Sequence, residues 1–385
     1  MCRATEYQEA FRNMRSSFLG PDESAGITGS RLCAARNGYY YIHLSKPYSG
    51  ASIELWHILA TMNELEVFKQ PVSGVELRSI DPHGIRLTEM HGSLVLSLLS
   101  RDTDSLQFYF LDIDSATALP VMLRGSKISH RINYSMIHIG CQRILLVGGS
   151  SPAGVYYSSL FVLDFATGES RKMRPLTHGL DGFTLTHLGP GRIGLFGGYS
   201  KICCENMVYL VNKDQWSAPC GNDEIDELVA KRWKPCLHKL TDTLILIFGG
   251  YNGRVLNDLY VYSTSSNAYA TIYPRDTSPL APREDGAYIL TKDRVNLVLI
   301  GGGTKRCDVL DIETLRTSAM AILADVLLKR DLAGQQSDTP QPALSEHTTE
   351  EKESMGARIV DEIKAKIAAG GQATELLDIV WPKKR

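Results

Sequence analysis

The chain of 385 residues has no CxxC pair among its eight cysteines and no apolar run near the roughly 18 residues of a membrane-spanning helix. Charge of one sign is also lacking: 41 Lys and Arg stand against 43 Asp and Glu. Each shortage excludes something. Without paired cysteine spacings, a disulfide-stapled secreted scaffold is not expected, and reduced thiols are. Without a long apolar run or an apolar stretch after Met1-Cys2-Arg3-Ala4-Thr5-Glu6, the chain reads as soluble and cytoplasmic, with no membrane partner. Without a basic excess, no general attraction to nucleic acid is expected. The local group Cys203, Cys204, Cys220, Cys236 and His238 matches no common zinc-finger or ribbon spacing, so no metal is expected. The sequence also lacks a phosphate-binding P-loop, a dinucleotide-binding glycine fingerprint, HExxH, and GxSxG in a strand-turn-helix context. No cofactor or catalytic residue is assigned.

What is present is glycine, 33 residues of it, and much of it is phased. Gly148-Gly149 follows Arg143–Val147, Gly197-Gly198 follows Arg192–Phe196, Gly249-Gly250 follows Leu244–Phe248, and Gly301-Gly302 follows Val298–Ile300. The doublets lie 49, 52 and 52 residues apart. After each comes a polar segment and a second strand-like run: Leu160–Asp164, Met207–Val211, Asp258–Tyr262 and Asp308–Ile312. One period earlier, Leu94–Leu96 and Gln107–Asp112 form a unit without its glycines. A further step back, Tyr39–Leu44 and Ile53–Ile58 form another. A period of this length means a repeat architecture, here of six units.

An apolar strand ending in Gly-Gly, a loop, an aromatic strand and then a Trp resembles the kelch repeat. Gly197-Gly198-Tyr199 with Tyr209 and Trp216 matches it best, followed by Gly249-Gly250-Tyr251 with Tyr260, Tyr262 and Tyr269. The resemblance implies an all-β fold, a six-bladed kelch-type β-propeller with one four-stranded blade per repeat, followed by a C-terminal helical extension. The expected organisation is a 1–30 N-terminal segment, a propeller over 31–315, a helix over 316–334, a linker over 335–350 and C-terminal helices over 351–385.

The last unit has no obvious fourth strand. A strand from within Phe11–Leu19 would supply one and remove an open edge. The same region also reads as an amphipathic helix through Tyr7, Met14 and Phe18. Ser318 is the expected N-cap of the helix, and Gly334 its stop. In the tail, Met355, Ile359, Ile363 and Ile367 make an apolar stripe. It either packs on the propeller or docks a partner.

Strand alternation places the B–C and D–A loops on one face, and these are the longer loops, where binding residues concentrate. The candidates for a protein partner there are Lys46, Tyr48, Arg101, Tyr156, Tyr157, Tyr199, Lys201, Tyr251, Asn252, Arg254, Lys305 and Arg306. The expected function is a non-catalytic interaction scaffold or adaptor that binds one or more proteins, with the C-terminal helices as a second docking element. Two alternatives stand beside it. One is a sugar-directed enzyme of the epimerase type, which some proteins of similar architecture are; the other is a structural subunit held by its tail.

Overall fold

The computed structural model describes residues 27–336 apart from 36–37, 46–50, 61–64, 76–78, 102–105, 201–205, 218–228, 230, 274–278 and 305–307. Within these bounds the strands form six separate antiparallel meanders arranged as a ring. Strand A of each blade is innermost and lines the axis: Leu32–Ala35, Arg86–Met90, Ser135–His138, Asp181–Gly189, Cys236–Lys239 and Gly286–Leu290. Strands B, C and D step outward. Their alternating residues pack into clusters between blades, so the core is a set of seams rather than one central mass.

The Gly-Gly ends of strand B have a shared geometry. In blade 5, Gly249 and Gly250 both have positive φ, 62° and 98°, and a Cβ on Gly249 would lie 2.5 Å from the carbonyl oxygen of Arg283 in blade 6. Only glycine permits that backbone conformation and that closeness together. The Gly250 N–H then donates to the Arg283 carbonyl at 2.8 Å, binding one blade to the next. Gly149 donates in the same way to Leu180, and Gly198 to Arg232.

Closure repeats this bond with the start of the described chain. The Gly302 N–H donates to the carbonyl of Ile27 at 3.1 Å, which places Ile27 where each earlier seam has a residue of the next blade's D–A loop. Ser30 adds hydrogen bonds from its N–H and hydroxyl to Asp285, and Ile27, Tyr41 and Trp56 pack against Ile289 and Ile300. The proposed closing strand within 11–19 lies outside the described residues.

The blades are not uniform. Blade 3 gains a fifth strand, Arg124–Gly125, parallel to its outermost strand. Among the described residues blade 6 has three strands, and a helix, α1 (Ile312–Gln336), follows directly on its strand C. The helix begins at Ile312 rather than 316. Its N-terminus is held by Asp311, whose Oδ1 accepts from the Thr314 N–H at 2.7 Å, so Ser318 is inside the helix and not its cap. Gly334 does not stop it, because α1 continues to Gln336. Ile312, Leu315, Ala319, Met320 and Leu323 cover the outer residues of blades 5 and 6, including Ala270, Ile272 and Leu310. No helix among the described residues is long and apolar enough to cross a membrane.

Candidate functional site

Three arginines organise the D–A loops from within. Arg131, Arg232 and Arg283 are almost completely buried, and each donates at 2.9 Å to the carbonyl of the first glycine of its own blade's doublet: Gly148, Gly249 and Gly301. Arg232 also forms a two-point ion pair with Asp258, at 2.8 and 3.2 Å, and Arg283 pairs with the buried Asp308. In blade 3 the acceptor is instead the Ser159 hydroxyl. These pairs fix the loops on which the surface residues sit, as planar multi-donor guanidinium groups do well.

On that frame, blades 3, 4 and 5 enclose a cavity of about 550 Å³ lined by Tyr156, Asp181, Tyr199, Lys231, Trp233 and Tyr251 among others. Tyr199 and Tyr251 directly follow their glycine doublets and are 52% and 40% exposed. The exposed Val155 precedes Tyr156 in the blade 3 loop, and the exposed Val255 shares the loop of Tyr251. The Tyr156 and Tyr199 rings lie 5.8 Å apart and tilted. Trp233 and Tyr251 are joined by two backbone hydrogen bonds of 2.8 Å. Gly182 makes room for Trp233: a Cβ there would fall inside the indole.

Asp181 is buried beneath these rings. It accepts hydrogen bonds from the Trp233 indole N–H at 3.1 Å, the Ser150 hydroxyl at 2.6 Å and the Asn133 amide at 3.4 Å. Burial pushes its carboxyl above the usual carboxylate range, against the lowering effect of those hydrogen bonds and of Lys234.

A second cavity, of about 370 Å³, follows the axis and is bordered by the strand-A residues Arg86 and His238 and by Ser30, Asn133, Lys234 and Asp285 just before other A strands, among others. Its titratable groups are occupied or neutral. Lys234 pairs with Asp285 at 3.6 Å, and Arg86 donates to the carbonyls of His83, Ile85 and Tyr134. Burial raises the Cys236 thiol to about 12 and, together with Arg316, lowers His238 to about 4. At neutral pH the former is a thiol and the latter a neutral imidazole. No group of three or more metal-ligating side chains occurs among the described residues.

The sequence candidates fall into three groups. Tyr156, Tyr199, Tyr251 and Asn252 meet at the first cavity, with the exposed Arg254 on the same loop. Tyr157 turns inward, its ring 4.6 Å from the Arg131 guanidinium, and Arg101 lies on another blade, paired with Asp81 at 3.0 Å. Lys46, Tyr48, Lys201, Lys305 and Arg306 lie outside the described residues. Trp216 is structural: its ring packs 4.9 Å from Tyr209, and its indole donates to the Arg174 carbonyl at 3.1 Å. Sequence reasoning missed Asp181, Lys231 and Trp233. A usable signal was the buried arginine found 17 or 18 residues before a doublet, since Lys231 and Trp233 flank one of these.

Six radial meanders with phased glycine turns and internal arginines define a kelch-type β-propeller. The family model described as the KLHDC2/KLHL20/DRC7 Kelch-repeats domain matches residues 97–302, more than half of the chain, and the chain belongs to that family. The matched range begins within blade 2 and ends at the last doublet. No curated protein sequence matches the chain.

Proposed function

We propose that the chain is a non-catalytic protein-interaction scaffold that holds its partner on the B–C/D–A face, with residues 351–385 as a second docking element. The observation that carries this reading is the cavity framed by Tyr156, Tyr199, Trp233 and Tyr251, with the rings of Tyr199 and Tyr251 exposed and the Tyr251 loop held at Gly249 by the buried Arg232. Rigid aromatic side chains beside a concave surface supply contact area at little conformational cost, the pattern of binding hot spots. The kelch propeller is a typical protein-interaction fold, which agrees with this assignment. Its function is to bring the partner to whatever the tail engages.

The test is affinity purification with the full chain, with Tyr199→Ala/Tyr251→Ala, and with residues 351–385 deleted. A partner recovered in stoichiometric amount should be lost with the double variant while the propeller remains folded. Undiminished recovery would exclude this face. Deletion of the tail should remove a second component and leave the first.

A further inference from the structure

We propose that the cavity between blades 3, 4 and 5 is an aromatic box that seats a lysine or arginine side chain of the protein partner. The inference rests on the reading that this face holds a partner, and it adds the chemistry of the residue received. Tyr156, Tyr199, Trp233 and Tyr251 supply four ring systems around one opening. The faces of such rings carry partial negative charge and attract ammonium and guanidinium groups. Asp181 adds an acidic side chain below them, only 5% exposed and held in place by Trp233, Ser150 and Asn133.

The positive groups nearby do not fill this role. Arg232 is committed to Asp258 and to the Gly249 carbonyl, with its guanidinium 4.9 Å from the Tyr260 ring. Lys234 lies 4.3 Å from the Trp233 ring centre, but it borders the axial cavity and pairs with Asp285 there. Lys231 borders the box itself and opposes a cationic guest. It therefore provides a test of sign. Its removal should favour a cation and disfavour an anion, whereas loss of the Asp181 charge should do the reverse.

The full chain is titrated with N-acetyl-lysine amide, N-acetyl-arginine amide, the uncharged N-acetyl-norleucine amide, N-acetyl-glutamate amide and choline. Binding is followed at the Trp233 indole N–H resonance, assigned by its loss in Trp233→Phe. The cationic amino acid amides should bind about tenfold more tightly than norleucine amide, Asp181→Asn should weaken them about tenfold, and Lys231→Met should tighten them. Tyr199→Ala, at an exposed ring, should weaken them without change in the unfolding midpoint. Equal binding of norleucine amide, tighter binding of glutamate amide or choline, or an unchanged affinity in both Asp181→Asn and Tyr199→Ala would overturn the proposal. Against a captured partner the two readings separate. Loss with Tyr199→Ala/Tyr251→Ala but retention with Asp181→Asn overturns the cation box and leaves the interaction face standing. Retention with every variant overturns both.

Discussion

At the end of strand B, blade 5 has Gly249-Gly250 and blade 2 has Leu98-Leu99, yet both blades are four-stranded and packed to the next. In blade 5 the seam is backbone against backbone, with the Gly250 N–H on the Arg283 carbonyl of blade 6. In blade 2 the seam is filled by side chains. Leu99 is fully buried with Ile128, Tyr134 and Ile144, and the compensating glycine is Gly84, in the loop opposite, where a Cβ would collide with Leu99. Tyr134 then joins the blades through hydrogen bonds with Ser97 at 2.6 Å and the Gly84 carbonyl at 3.0 Å. In blade 5 the glycine that leaves room stands at the end of strand B, and in blade 2 it stands just before strand A of the same blade.

The largest effect should come from the internal ion pair of the glycine-doublet half. Arg283→Met removes the guanidinium that pairs with the buried Asp308 and should cost about 3–5 kcal/mol in urea unfolding. Adding Asp308→Leu should recover most of it. Arg131→Met, which faces the Ser159 hydroxyl instead of a carboxylate, should cost about 1–3 kcal/mol. Equal losses in the two blades would show that charge is not what distinguishes them.

The steric comparison can be broken next. Gly249→Ala should lose about 1–3 kcal/mol, because a positive φ and a backbone carbonyl both oppose the new methyl. No neighbouring truncation should rescue it. Gly84→Ala meets a side chain instead, so in combination with Leu99→Ala its cost should be less than the sum of the single losses. Additive losses in a double-mutant cycle would refute that account.

Acid should act through His238 on the seam near α1. Its folded-state value of about 4 lies below the ordinary value of about 6.5, so the unfolded chain takes up the proton first. The stability it confers by staying neutral is complete above the unfolded value and falls as pH drops from about 6.5 towards 4, by about 2–3 kcal/mol. The pH dependence of the urea midpoint should flatten in His238→Gln. The smallest effect on stability is expected at the site itself: Tyr199→Ala and Tyr251→Ala should each change it by no more than about 0.5 kcal/mol, by thermal unfolding.

Much of the ring was legible because strand periodicity and glycine spacing are local properties. The C strands of the last four blades fall within a residue of their expected limits, as with Leu160–Asp164, and the B strands of blades 3 and 5 coincide with theirs. The helix start was misplaced because Asp311 ends a strand and caps a helix at once, and the strand pattern concealed the second role. At the site, Tyr199 and Tyr251 were visible from their place after the doublets. Asp181 was not, since it opens a strand as an ordinary polar residue and gains its meaning from Trp233, 52 positions away.

The sequence by itself determined the repeat, the blade number and the face that carries the long loops, because these follow from spacings along one chain. Tertiary structure alone decided which loop residues share a cavity, that Tyr157 and Arg101 are occupied elsewhere, and that Ile27 completes the last seam. The reason is geometric. A propeller brings residues about fifty positions apart into contact across each seam, and whether a ring or a charge there faces inward or into solvent depends on which side of the seam supplies the space.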